Sequence, residues 1–341
     1  MEAAARTDLC RAVDHLAALV GNTPLVEIRY RINGQPRRLY AKYESMNMTG
    51  SVKDRMALHI LRRAIERGEL LPGAVIVEAS SGNTGISFAA IGRALGHRVR
   101  IYMPDWMSPE RTQLMHGLGA DVVPVAKAQG GFVGSVRMAE EYAAETPNAF
   151  LPRQFANTDN SEAHELTTGP EIQVQLRQLG RQADGFVAGV GTGGTVMGVG
   201  RALRNTGRTV RVHPLEPANS PTLRTGKKVG NHRIQGISDE FIPEIVKLDQ
   251  LDAIIDVWDG DAILMAQALG HRLGLAVGIS SGANVAGAMK LIEELGPDAT
   301  VVTVLPDSNK KYLSTALPLA EPPQDDYITP TVQLQSFISV R

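Results

Sequence analysis

The stretch Phe186-Val187-Ala188-Gly189-Val190-Gly191-Thr192-Gly193-Gly194 decides the fold class. Its apolar, β-branched start reads as a buried strand, its glycines as a tight turn, and Gly194 to Asn205 as the helix that follows. The same rhythm extends in both directions. Upstream, Ala74 to Glu78, Val99 to Met103, Val122 to Val125 and Phe150 to Pro152 read as strands. They are separated by helices from Asn83 to Leu95, from Ser108-Pro109-Glu110 to about Gly117, from Gly134 to Glu145 and from Glu162 to Leu179. Downstream, strands at Thr209 to Leu215, Ala253 to Val257 and Thr300 to Leu305 alternate with helices at Asp261 to Leu273 and Ala283 to Leu295. Alternation of this kind predicts an α/β protein with mainly parallel sheets flanked by helices.

The glycine tract Gly189 to Gly194 also matches G-x-G-x-x-G between a strand and a helix, and Glu216 follows at the distance of a ribose-binding acid. A dinucleotide is therefore one reading, and NAD-linked oxidoreduction the function it would imply. Both this reading and any other phosphate site share one piece of physics. Glycines let the backbone close on an anion, and the amides of a helix N-terminus point at it.

Two further tracts are not required by a dinucleotide fold. Ser80-Ser81-Gly82-Asn83-Thr84-Gly85 lies between a strand and a helix, a second anion nest suited to a substrate carboxylate. Asn47-Met48-Thr49-Gly50-Ser51-Val52-Lys53-Asp54-Arg55 sets a lysine at the opening of a helix, where burial and the dipole lower its pKa and make it a candidate Schiff-base former. Asp54 and Arg55 read as first-turn helix charge and a salt-bridge partner, and Lys42, in a strand, as structural.

With these residues in place, and with Gly21-Asn22-Thr23-Pro24-Leu25, Gln235-Gly236-Ile237, Gly278-Ile279-Ser280-Ser281-Gly282 and Tyr312-Leu313-Ser314-Thr315 in the same order, the chain resembles the cysteine synthase and cystathionine β-synthase family. These are fold-type II pyridoxal-phosphate enzymes, tryptophan synthase β-like. The resemblance implies two lobes: a large cofactor-binding one from residues 1–44 and 155–316, and a smaller mobile one from 45–154. A C-terminal tail, 317–341, is expected to be a peripheral arm or partly disordered. It implies that pyridoxal 5'-phosphate is carried by Lys53 as a Schiff base. Gly191, Thr192, Gly193, Gly194 and Thr195 would cradle its phosphate, Asn83 would bond the ring hydroxyl, and Ser281 would face the ring nitrogen. Ser80, Ser81, Gly82, Thr84 and Gln154 would hold the substrate carboxylate. A serine at the ring nitrogen disfavours full protonation there, and so favours β-elimination over transamination. The implied reaction is β-replacement on an O-activated serine through an aminoacrylate, with sulfide as the simplest nucleophile and cysteine as the product. Cystathionine β-synthase-like replacement by an amino acid or amine, with serine or O-phosphoserine as donor, is the neighbouring reading. A non-catalytic binding paralogue is the reading of another class.

The chain departs from the family at Ser238-Asp239-Glu240, where cysteine synthases usually carry small residues. Asp239 or Glu240 would favour an amino-acid nucleophile or assist a poor leaving group, unless they only pair with Lys227, Lys228 or Arg233. Met107 belongs to a tract resembling the family's mobile substrate-side segment and is a candidate pocket residue. With 35 basic and 36 acidic side chains, net charge −1, and no basic run, nucleic acid is not an expected partner. His164-Glu165-Leu166-Thr167-Thr168 lacks the second histidine of a zinc helix, so no metal is expected. The single cysteine, Cys10, forms no intrachain disulfide and suits a reducing compartment. No secretory leader or membrane-spanning stretch is read, and the expected setting is a cytoplasmic homodimer.

Overall fold

The computed structural model describes residues 2–341. Its strands are β1 (Leu25–Ile32), β2 (Gln35–Tyr43), β3 (Val75–Ala79), β4 (Arg98–Pro104), β5 (Asp121–Val125), β6 (Ala149–Phe150), β7 (Gly185–Gly189), β8 (Arg211–Pro217), β9 (Ile255–Val257), β10 (Val301–Leu305) and β11 (Val332–Val340). They form two sheets. The larger has the order β11-β1-β2-β10-β7-β8-β9, and the smaller β5-β4-β3-β6. The small sheet is parallel throughout, and so is the large one from β2 to β9.

Period-two alternation explains how the large sheet is covered on both faces. Leu39 and Ala41 on β2, with Val187 on β7, join one core with the helices Asp259–Leu273 and Ile279–Leu295. Tyr40, Phe186 and Ala188, one residue out of phase, join the opposite core with Gly169–Gln178 and Gly194–Arg204. The small sheet packs Ile76, Val99 and Ile101 against Lys53–Arg67 and Asn83–Ala94. Its other face meets Ala139 and Val136 of Gly131–Glu145.

Three elements differ from the sequence reading. The tail, of the two alternatives read for it, is an ordered peripheral arm, and it carries a strand absent from the sequence reading: β11 pairs antiparallel with β1 from Leu25↔Val340 to Ile32↔Val332, with a bulge at Arg29/Tyr30. The alternation Val332-Gln333-Leu334 carries it, behind a proline-rich approach that obscures the strand. The helix expected from Ala283 begins at Ile279, because Gly278, extended at ψ 171°, is its capping residue. The helical region after Thr158 is interrupted by one π turn, His164–Thr168, just before Gly169-Pro170. Pro170 supplies no N–H, which accounts for a local change of hydrogen-bond pattern.

In a parallel sheet, ligand sites form where strands end and loops diverge. Here the C-terminal ends of β3, β7 and β10 lead to Ser80, Val190 and Pro306, and all three segments border one cleft.

Candidate active site

Lys53 is placed by backbone rather than by its own side chain. Val52 N–H donates to the Pro306 carbonyl at 2.8 Å, and Ser51 bridges Asp307, so the lysine tract is pinned to the end of β10. The side chain lines the cleft. Among the described residues its ammonium has no hydrogen bond and no ion pair. Burial pushes its pKa down, against the fields of Asp239 and Asp307, which act to raise it. An unpaired amine whose charged form is disfavoured is what a Schiff-base lysine requires.

Opposite it, β7 ends in the glycine turn. Gly193 sits at φ +85°, a left-handed conformation open to glycine, and it starts the helix Gly194–Arg204. Gly193 has no side chain to cap the first-turn amides; Gly194 N–H makes only a long bond, 3.4 Å, to Thr192 Oγ1, and the amides that follow it are available to an anion. The walls are tight: a Cβ on Gly191 would lie 2.3 Å from the Gly236 carbonyl oxygen, and one on Gly194 would lie 1.9 Å from Asn160 Oδ1. Asn160 donates to Thr192 Oγ1 at 2.9 Å, and Thr195 Oγ1 lies 3.3 Å from His164 Nε2. Gly191, Thr192 and Thr195 line the cleft, with Gly193 and Gly194 behind them. An uncapped helix start, a cradle that a methyl group would fill and an unpaired, half-buried lysine together fit a phosphate-bearing aldehyde cofactor.

The Gly191→Ala variant follows from this geometry. It is expected to lower cofactor affinity ~5- to 150-fold, the equivalent of ~1–3 kcal/mol of overpacking, while the chain still folds. Equilibrium dialysis of the cofactor against both proteins checks it.

Asn83 faces the cleft from the start of Asn83–Ala94, with its amide held at both ends. Nδ2 donates to Asp307 Oδ2 at 2.7 Å, and Lys311 Nζ donates to Oδ1 at 2.8 Å. Tyr312 O–H donates to the same Asp307 oxygen at 2.7 Å. One amide hydrogen of Asn83 is left for a ligand. Ser81 and Gly82 also line the cleft, and Ser81 Oγ makes no hydrogen bond among the described residues. Ser80, Thr84 and Gln154 border it too, but much of their bonding is internal. Ser80 Oγ accepts from Gly82 N–H at 3.1 Å and Gly85 N–H at 2.9 Å, and Thr84 O–H donates to Gln154 Oε1 at 2.7 Å. They shape the nest.

The helix boundary corrects one assignment. Ser280, not Ser281, lines the cleft, and Ser281 Oγ is buried without a partner. Adjacent residues on a helix point about 100° apart, so only one of the two serines can face the cofactor space. Starting the helix at Ile279 selects Ser280.

The departure from the family falls inside the cleft. Asp239 lines it with Lys53, half-buried, and burial raises its carboxyl to about 6. The field of Lys53 opposes that rise, and that of Glu240 adds to it. Neither acid is consumed by a salt bridge to Arg233, which instead pairs with Asp259 at 2.9 Å and Glu321 at 2.6 Å. Ser238, at φ +54°, turns its hydroxyl away to the Ser220 carbonyl and Thr222 Oγ1, both at 3.0 Å. It aims the chain rather than reading a substrate. Glu240 and Met107 line an outer cavity of about 490 Å³ that shares Ser81, Gln235 and Asp239 with the inner cleft.

Residues that sequence reasoning missed are Arg111, Phe132, Phe155, Asn284, Asp307 and Lys311. Asn284 receives Gly189 N–H at 2.8 Å and donates to the Val304 carbonyl at 2.9 Å, tying β7 to β10 at the cleft floor. Phe132, Phe155 and Phe241 stack edge-on, at 5.7 and 5.1 Å between centroids. They make an apolar wall beside Asp239. Position at the end of a parallel strand could have singled out Asp307. Glu216, the expected ribose acid, is elsewhere: it is buried, accepts Leu223 N–H at 2.6 Å and pairs with Arg224 at 3.4 Å. His164 is buried, with Nδ1 bonded to Thr168 at 2.9 Å. Among the described residues no group of histidine, cysteine and acidic side chains is arranged to hold a metal. Nor is any helix long and apolar enough to cross a membrane.

A glycine-cradled anion site, an unpaired lysine and a second nest define a pyridoxal-phosphate site on a fold-type II scaffold. The chain belongs to the family described as pyridoxal-phosphate dependent enzymes, whose model matches residues 16–307. Within it, the chain is 40% identical over 309 residues to a probable cysteine synthase of Bacillus subtilis, covering 91% of this chain and 99% of that one. It is 42% identical over 307 residues to cysteine synthase A of Escherichia coli K12, covering 87% and 93%. The crystal structure of a hydrogen sulfide-producing enzyme from Fusobacterium nucleatum superposes with a TM-score of 0.94 at 51% identity, covering 97% and 99%. The dinucleotide reading of the glycine tract is thereby set aside, and the chemistry is β-replacement.

Proposed function

We propose that the chain catalyses the cysteine synthase reaction, replacement of the β-substituent of an O-activated L-serine by sulfide. We further infer that it runs the sulfide step in reverse, releasing hydrogen sulfide from cysteine and leaving an unsaturated three-carbon fragment that water or a second nucleophile takes up. The observation that carries this is Asp239 sharing the cleft with Lys53. When bound, the cofactor supplies the imine and electron sink that acidify the substrate Cα–H. The free Lys53 amine takes that proton. The Cβ–S bond of cysteine then breaks, and the Asp239 carboxyl gives its proton to the departing sulfur. Adding hydrogen sulfide, which returns a proton to the Asp239 carboxylate as its sulfur bonds the β-carbon, reverses each transfer, so one pair of groups serves both directions.

The other residues position. The start of Gly194–Arg204 would hold the cofactor phosphate, Asn83 its ring oxygen and Ser280 its ring nitrogen. Ser81 and the Gly82 turn would receive the substrate carboxylate. The Phe132–Phe155–Phe241 wall would keep water off the reacting carbons. Similarity to the Fusobacterium enzyme supports the sulfide-releasing direction, and similarity to the cysteine synthases the biosynthetic one.

A carboxyl at about 6 is mostly protonated below that pH and mostly ionised above it. Release of sulfide from cysteine is therefore expected to lose kcat/KM as pH rises through about 6. Asp239→Asn should remove that limb and lower the rate ~10²- to 10⁴-fold, the usual weight of a general acid. Consumption of O-acetylserine, whose acetate leaves unprotonated, should fall less than about tenfold. Equal losses on both substrates would argue against the acid role. The homodimer and the cytoplasmic setting belong to the same reading, and sedimentation would test the first.

A further inference from the structure

Arg111 is the charged group of the cleft whose role is unaccounted for. It stands in the first turn of Pro109–Gly117, is 2% exposed, and lines the inner cleft. Its Nε and Nη1 are buried without a hydrogen-bond partner, and it makes no ion pair among the described residues. One face lies over the Tyr312 ring, 4.9 Å from its centroid. Another rests on the carboxylate nest: a Cβ added to Gly82 would lie 2.5 Å from both its Cδ and its Nε. Gly82 is thus the residue that lets the guanidinium reach this place. Arginine keeps its charge under all ordinary conditions, and a buried charge without a counter-ion is unfavourable. Asp307, within the same cluster, gives one oxygen to Asn83 and Tyr312 and no ion pair to Arg111.

The nest beside it offers few free donors of its own. Ser80 accepts from the Gly82 and Gly85 amides, and Thr84 bonds Gln154, whose amide in turn bonds the Ala79 carbonyl, which leaves Ser81 and the other amides of the turn as neutral donors. We propose that Arg111 supplies the positive charge of the α-carboxylate subsite, binding the carboxylate of the amino-acid substrate against the Ser81-Gly82-Asn83 turn. The unpartnered guanidinium and the substrate carboxylate then form one ion pair. This rests on the reading of the cleft as an amino-acid β-replacement site.

The test uses the cofactor-loaded enzyme and two unreactive amines, L-alanine and ethylamine, which differ only by the carboxylate. Binding of each is read from the change in visible absorbance, without turnover. Arg111→Gln is expected to raise the Kd for L-alanine ~30-fold, the value of one charge-assisted hydrogen bond, and to leave that for ethylamine within about twofold. Arg111→Lys, which keeps the charge but not the fork, should fall between. Gly82→Ala, with Arg111 intact but displaced, should also weaken alanine selectively, so the proposal survives a poorly folded Arg111→Gln only if this variant behaves so. An unchanged Kd for alanine, or equal losses for both amines, would overturn it. A wild-type enzyme that responds to neither amine would overturn the reading of the cleft itself, before any variant is made.

Discussion

Alanine at position 53 is expected to abolish β-replacement, with a loss of at least ~10⁴-fold, while leaving the fold at least as stable as before. Two functions vanish together in that variant: the amine that would bind the cofactor covalently and the base that would move the Cα proton. Base catalysis alone is worth ~10²–10⁴-fold, and covalent attachment adds to it. Arginine at the same position should not rescue, because a guanidinium neither forms the imine nor gives up its proton. The stability half of the prediction has a separate origin. The Lys53 ammonium faces the cleft without an ion pair, and burial already opposes its charge. Removing an unpaired, half-buried cation relieves that cost, a common trade between activity and stability. Thermal unfolding of the two apo proteins should show an equal or higher midpoint for Lys53→Ala.

Arg55→Met is expected to destabilise the protein by ~3–5 kcal/mol, because it strips the centre from a buried charge network. Arg55 donates to Glu44 at 2.6 and 2.8 Å and to both oxygens of Glu171 at 2.8 Å. Lys42, fully buried on β2, pairs with the same Glu171 at 2.6 Å. Thr23 O–H donates to Glu44 at 2.7 Å, so the network also clamps the turn after Gly21. Burial alone would raise the Glu44 carboxyl, but the Arg55 charge overrides it and holds it down to about 2. A folded pKa below the unfolded one gives stability that is complete above about pH 4.5 and is lost as pH falls toward 2. In Arg55→Met the Glu44 carboxyl loses its counter-charge and rises. The gap between variant and wild type in urea unfolding should therefore be largest near neutrality and shrink below about pH 4.

The parts of this molecule written locally in the chain were legible there. The glycine turn after β7, the Lys53 helix start and the Ser80 nest each need a short run of residues with one backbone requirement, and the structure brings all three to one cleft. Asn33-Gly34 is a hairpin turn of the same local kind, both residues left-handed at φ 50° and 78°, and it joins β1 to β2. That dipeptide states its turn type in the sequence. Helix phase was harder. Choosing between Ser280 and Ser281 depends on where the helix begins, and only the extended Gly278 sets that. Arg111 and Lys311 carry no local pattern. The backbone carbonyl of Lys311 receives Ser108 O–H at 3.3 Å across 203 residues of sequence, and its ammonium reaches Asn83 across 228. Such contacts exist only once the two sheets face each other.

Reduction of the cofactor-loaded enzyme with borohydride, followed by peptide mass mapping, tests the central claim most directly. A Schiff base reduced in place becomes a permanent amine link. The account predicts cofactor mass on the peptide carrying Lys53 and loss of that label in Lys53→Ala. Labelling of another lysine, Lys42 or Lys311 in particular, or of none, would contradict it.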